Sequence, residues 1–153
     1  MYVAGRHFIT DSGGAGRMRG GEGIYCEFGP TEGSMEVGYV SDANDAPPEG
    51  ARGGGDGACA NQYRRDSDGN THQLAACAQA VIPEGQTIVS YSCGGGGYGP
   101  AIERDPKKVA EDVREKWVSV ECAKDIYRVA VDSSGVLDIK ETNILRENTC
   151  NAE

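Results

Sequence analysis

Apolar and polar positions alternate with period two over Ser34–Val40, where Met35, Val37 and Tyr39 interleave with Ser34, Glu36 and Gly38. Successive side chains of a strand point to opposite faces, so this spacing predicts a half-buried strand. Shorter strand-like runs stand at Arg6–Thr10 and Gly23–Phe28, and Gln86–Ser92 reads as a strand after the turn signal Pro83-Glu84-Gly85. Leu74–Ile82 fits both periods, because its alanines and the Leu74, Ala78, Ile82 spacing suit a helix as well as a strand. A hairpin with Gln86–Ser92 is the simplest joint reading. Ser41–Thr71 contains Pro47-Pro48, Gly53-Gly54-Gly55 and Ser67-Asp68-Gly69-Asn70, which predicts an extended surface loop with little regular structure.

The period changes after Gly97. Asp105 precedes a proline suited to a first helical position, and Val109, Val113 and Trp117 then form an i, i+4, i+8 stripe, so a helix ending near Trp117 is expected to fill the chain's own core. Ser119 can cap a second short helix carrying Cys122 and Ile126. A strand-like Arg128–Asp132, a Ser133-Ser134-Gly135 turn and a box-like helix start at Asp138 and Glu141, running through Ile144 and Leu145, complete the tail. The expected class is α+β: one domain over 1–153, mainly β and glycine-rich over 1–100 and helical over 101–153.

Composition changes this picture in one respect. There are 23 glycines but only six prolines among 153 residues, a glycine share about twice the usual ~7%. They concentrate in two motifs, one holding Asp11, Gly13, Gly14, Gly16, Gly20 and Gly21, the other Gly94, Gly95, Gly96 and Gly97. The first lacks the lysine and hydroxyl residue of a phosphate-binding loop and leads into a strand, so backbone turning at positive φ is its expected use. Four glycines in a row let a second backbone or a ligand come close, and the second motif is expected to form a corner between sheet and helices.

A formal net charge of −9 argues against nucleic acid as a partner. No apolar run reaches the ~20 residues of a membrane span, and Met1–Arg6 lacks a signal-peptide core, so the cytoplasm is the expected compartment. Six widely spaced cysteines then read as free thiols. Cys59, His72, Cys77 and Cys93 have the ligand chemistry of a tetrahedral zinc site that only folding could gather, with ordinary thiols as the alternative. His7 and His72 stand in no nucleophile signature, and Asp42, Asp45, Asp66 and Asp68 read as solvated loop carboxylates, so no catalytic or cofactor-binding residue is assigned.

Three runs together carry a family resemblance. DSGGAGRMRGGEG (Asp11–Gly23) resembles a motif near the end of hydantoinase B and 5-oxoprolinase-type proteins, and IPEGQTIVSYSCGGGGYGP (Ile82–Pro100) resembles their next signature. ERDPKKVAEDVREKWVSVECAKDIYRVAVD (Glu103–Asp132) is similar to their helical closing segment. The chain departs from the family at Pro100-Ala101, where members usually have aspartate, and in the cysteine-bearing loop Cys59–Cys77, which has no counterpart. Family members are several times longer, so the chain resembles their C-terminal domain as a separate chain, similar to the small subunit of an acetophenone-type carboxylase. The resemblance implies a non-catalytic structural subunit of a multisubunit ATP-dependent enzyme carboxylating an aromatic ketone, in the manner of acetophenone to benzoylacetate. Its implied partners are hydantoinase A-like ATP-binding subunits and a truncated hydantoinase B-like subunit, with ATP and divalent metal held by the complex rather than by this chain. A subunit of an ATP-dependent hydantoinase or 5-oxoprolinase, and a free-standing binding module, are the alternatives.

Overall fold

The alternating segment sets the geometry of a small second sheet. In the computed structural model, which describes residues 1–150, the strands are β1 (Tyr2–Phe8), β2 (Ile24–Gly29), β3 (Ser34–Val40), β4 (Asn61–Arg65), β5 (Thr71–Gln73), β6 (Cys77–Pro83) and β7 (Thr87–Tyr91). The helices are α1 (Pro106–Arg114), α2 (Val120–Asp125) and α3 (Ile139–Cys150). Five strands form an antiparallel sheet in the order β1-β2-β7-β4-β5, and β3 pairs with β6 alone. The fold is α+β. In the small sheet Met35 stands opposite Ile82, Val37 opposite Ala80 and Tyr39 opposite Ala78. Their alternation with exposed neighbours turns one face inward, anchored by the fully buried Ile82.

Leu74–Ile82 therefore resolves as strand, but the hairpin with Gln86–Ser92 does not form. The Pro83-Glu84-Gly85 turn, with Gly85 at φ +82°, hands the chain from one sheet to the other. Thr87, Ile88 and Val89 are buried in succession, the signature of a central strand, whereas β6 alternates between solvated positions and half-buried ones, with Ile82 alone fully covered. The long loop also needs correction, because Asn61–Arg65 is β4, paired to β7 and β5. Polarity hides it: four of its five residues are Asn, Gln or Arg, and even the buried one is Gln62. The first strand begins at Tyr2 and ends at Phe8, earlier than its pattern suggests.

In the helical part, the Asp105 carboxylate accepts from the Lys107 amide at 2.9 Å and Pro106 opens α1. The helix stops at Arg114, short of Trp117, because Lys116 adopts φ +61°. Val109 and Val113 pack with Val118, Ala123, Tyr127, Val129 and Val131 in one core. Ser119 caps α2 by accepting from the Cys122 amide at 3.0 Å. Arg128–Asp132 is no strand: Arg128 sits at φ +54° and only Val131 makes a bridge, to Leu137. Asp138 accepts from the amides of Lys140 and Glu141, both at 3.0 Å, at the start of α3. Residues 151–153 of the expected tail, and the side chains of 149 and 150, lie outside the described residues. No described helix is long and apolar enough to cross a membrane.

Replacing Ile82 by alanine is expected to lower stability by about 2–5 kcal/mol. Val81→Ala, on the solvated face of the same strand, should stay within ~0.5 kcal/mol of the parent. Chemical denaturation of both variants checks the register.

Candidate functional site in the glycine layer

The glycine motifs meet each other. Gly14 donates its amide to the Gly95 carbonyl at 2.8 Å, Gly95 to Gly21 at 2.9 Å and Gly20 to Gly14 at 2.8 Å. A third segment joins them: Gly55 donates to Ala15 at 2.7 Å, Gly97 to Gly55 at 2.9 Å and Ala51 to Gly97 at 2.8 Å. A Cβ on Gly20 would fall 1.8 Å from the Gly95 oxygen, on Gly94 1.7 Å from the Ser12 oxygen and on Gly96 2.0 Å from the Glu49 oxygen. Glycine is thus required for lack of room, as at the crowded axis of a collagen helix.

This overturns the positive-φ reading of the first motif. None of Gly13, Gly14, Gly16, Gly20, Gly21 and Gly94 to Gly97 has positive φ, and the left-handed residue there is Asp11, at φ +60°. Of the two uses open to the second motif, the approach of another backbone is the one observed. The third segment, with Gly50, Gly54 and Gly57 equally crowded, is part of the stretch read as surface loop. The run Gly53-Gly54-Gly55 within it reads as loop chemistry, and nothing local in the sequence marks its close approach to Gly97.

A buried charge network fastens this layer to α1. Arg19 Nη1 lies 2.6 Å from Glu22 Oε1, and Arg19 Nε 3.1 Å from Asp112 Oδ1. Arg104 closes on the other oxygen of Asp112, with Nε at 3.0 Å and Nη2 at 2.9 Å, and also donates to the Arg17 carbonyl at 3.2 Å. Glu22 Oε2 accepts from the Gly13 amide at 2.9 Å and lies 2.8 Å from the Ser12 hydroxyl. The Arg19 guanidinium stacks 4.7 Å over the Trp117 ring. Asp11 makes the second attachment, accepting from the Ser119 amide at 2.8 Å while its own amide donates to the Trp117 carbonyl at 2.9 Å. Burial, followed by the charge and hydrogen bond of Asp11, pushes the Cys122 thiol up to about 12, so it stays protonated at neutral pH.

A second cluster crosses the large sheet. Glu27 accepts two hydrogen bonds from Arg65 Nη1, at 2.7 and 2.6 Å, one from Thr87 Oγ1 at 2.7 Å and one from the Tyr25 hydroxyl. Burial alone would raise its pKa, but Tyr25, Thr87 and Arg65 outweigh that and hold the carboxyl below its ordinary value of 4.5. His7 stacks on Tyr25 at 4.6 Å, and Tyr91 meets both Tyr25 and Tyr63 edge-on.

The four zinc candidates do not share one site. His72 lies on β5 with Nε2 2.6 Å from Asp66 and Cys77 opens β6, while Cys59 and Cys93 lie opposite each other where the β4–β7 pairing continues past Asn61 and Tyr91, the Gly94 amide donating to the Ala58 carbonyl at 3.1 Å. Among the described residues no group of three or more His, Cys, Asp or Glu side chains could hold a metal. Cys59 and Cys77 are exposed thiols, while Cys26, Cys93 and Cys122 are half-buried. Asp42, Asp45 and Asp68 are exposed as expected, but Asp66 is paired with Arg64 at 3.2 Å and with His72. Sequence reasoning missed Ser12, Arg19, Glu22, Glu27, Arg65, Arg104 and Asp112. Asp112 alone gave a signal, an acid one position before Val113 on the buried face of α1.

A profile of the family described as hydantoinase B/oxoprolinase matches residues 1–101, which carry both glycine motifs and the third segment between them. The chain belongs to the hydantoinase B/oxoprolinase family. Among members, it is 32% identical over 142 residues to the caprolactamase beta subunit of Pseudomonas jessenii, covering 90% of this chain and 24% of that one. It is 40% identical over 58 residues to the acetophenone carboxylase delta subunit of Aromatoleum aromaticum, covering 37% and 8% of the two chains. The crystal structure of the ATP-dependent caprolactamase from P. jessenii superposes with a TM-score of 0.76 at 28% identity, over 95% of this chain and 26% of that one. The nucleotide-free acetone carboxylase structure shares the fold, with a TM-score of 0.72 at 20% identity over 98% and 25% of the two chains. The chain thus spans about a quarter of the length of hydantoinase B relatives such as the caprolactamase beta subunit.

Two measurements check these assignments. Gly20→Ala and Gly96→Ala should each cost at least about 1–3 kcal/mol by overpacking. Gly21→Ala, with nothing within 4 Å of its would-be Cβ, should be neutral or stabilise by about 0.4–1 kcal/mol. Since the native pKa of Glu27 is depressed, its contribution is complete above the unfolded pKa and disappears as pH falls through the native one. Stability measured from pH 7 downward should therefore decline more steeply below about pH 4.5 in the parent than in Glu27→Gln, while the two slopes should coincide at higher pH.

Proposed function

We propose that this chain is a small, non-catalytic structural subunit of a cytoplasmic, multisubunit ATP-dependent enzyme that carboxylates an aromatic ketone. The observation carrying the structural role is the use of the glycine motifs. The amides of Gly14, Gly20, Gly95 and Gly97 donate to backbone carbonyls, so they are not aimed at a phosphate. The charges of Arg19, Glu22, Arg104 and Asp112 are likewise turned on one another. On this reading ATP and its divalent metal are held by partner subunits of hydantoinase A-like type, with a hydantoinase B-like subunit completing the assembly. The 40% identity to the acetophenone carboxylase delta subunit supports the ketone substrate. A cyclic amide is the second reading, favoured by the far longer match to the caprolactamase beta subunit.

Co-expression of the chain with the hydantoinase A-like and B-like subunits of the same genome tests the proposal. Bicarbonate-dependent ATP hydrolysis on acetophenone should appear only with this chain present, and the pure chain should turn over no ATP. Activity with caprolactam or a hydantoin instead would select the second reading. Full activity of the complex without this chain, or ATP turnover by the chain alone, would overturn the structural-subunit role.

A further inference from the structure

The two edges of the large sheet are built differently. β5 is a three-residue Thr-His-Gln strand, short and polar, as edges that avoid pairing usually are. β1 is seven residues long and exposed everywhere but Gly5. Of the exposed large apolar side chains, Met1, Tyr2, Val3 and Phe8 lie on or beside it, at 76, 43, 58 and 57% exposure. Val3 stands opposite Phe28, Arg6 opposite Cys26 and Phe8 opposite Ile24. The irregularity between Val3 and Gly5 keeps Val3 on the same face as Arg6 and Phe8. Open cavities of about 330 Å³, lined by Arg6, His7, Phe8 and Ile24, and about 410 Å³, beside Met1 and Met35, flank the strand ends. Arg6 has no ion-pair partner among the described residues, although the chain carries a net charge of −9.

We propose that β1 is a docking edge, to which the hydantoinase B-like partner subunit adds a strand that extends the five-stranded sheet and sets a carboxylate against Arg6. The inference rests on the subunit reading above. The partner is chosen because the same fold makes up about a quarter of longer chains, in which other parts of a hydantoinase B-like chain are at hand to cover this edge. Strand addition would bond the outward amides and carbonyls of β1 and cover Val3 and Phe8 together. An uncovered edge of this length and apolarity promotes self-pairing.

Hydrogen exchange on the co-expressed complex, compared with the free chain, tests this. Amides of residues 2–8 should exchange at least tenfold more slowly in the complex. Val3→Lys with Phe8→Lys, and separately Arg6→Glu, should each weaken the complex at least tenfold, the latter with a flatter salt dependence. These side chains are exposed, so thermal unfolding of the free variants should match the parent. A complex that forms with β1 exchange unchanged and both variants binding like the parent would overturn the docking edge while leaving the subunit reading intact. Protection of β1 in a homodimer would assign the edge to a second copy and overturn the proposed partner. Failure of the unmodified chain to bind the hydantoinase B-like subunit would overturn both.

Discussion

Backbone lying on backbone is the contact on which the rest of this molecule depends. Side chains normally hold neighbouring segments apart, and a layer of bare peptide forms only where glycine removes them. Here three stretches far apart in sequence, around Gly13–Gly21, Gly50–Gly57 and Gly94–Gly97, satisfy one another's amides and carbonyls directly. The arrangement buries peptide groups without a strand or helix ladder, and bonds between the three stretches supply partners that a ladder would otherwise give. β2 leaves the first stretch, β4 the second, and β7 enters the third. The order of the central strands in the large sheet is thereby tied to the layer.

The charge network gives this layer a direction. Peptide on peptide offers little lateral specificity, because every glycine presents the same atoms. Asp112 faces Arg19 and Arg104 at 2.9–3.1 Å, and Glu22 holds Ser12 and Gly13. Such a buried group is weak evidence of net stabilisation, since desolvation offsets much of the attraction. Its stronger effect is on register: displacing α1 along the layer would strand a buried charge. Trp117 and Ser119, held through Asp11, fix the far end of the same interface.

The elements that could be read from the sequence are those whose signal is local. Met35, Val37 and Tyr39 announce β3 because one face of it meets solvent, and Asp105-Pro106 and Ser119 announce α1 and α2 because caps are made by neighbouring residues. β4 escaped notice because Asn61, Gln62, Arg64 and Arg65 leave its sequence polar, with no apolar alternation to mark a strand. The pairing of β6 with β3 was hidden because proximity in sequence favours a hairpin, whereas the successive burial of Thr87, Ile88 and Val89 demands a central position for β7. In the glycine layer the residue types were visible but their use was not. Gly20 and Gly96 are crowded by carbonyls from remote segments, and nothing local reports that.

One consequence of the layer concerns how such a chain can change over generations. In an ordinary core, a larger side chain at one position can be accommodated by a smaller one across the gap, so compensating pairs accumulate and sequences drift. The atom facing Gly20 is the carbonyl oxygen of Gly95, and the atom facing Gly94 is the carbonyl oxygen of Ser12. Every amino acid brings that same oxygen. No second substitution can make room, so these positions are closed to reciprocal exchange, and the three stretches must be inherited as one inflexible set while the surrounding surface remains free to diversify.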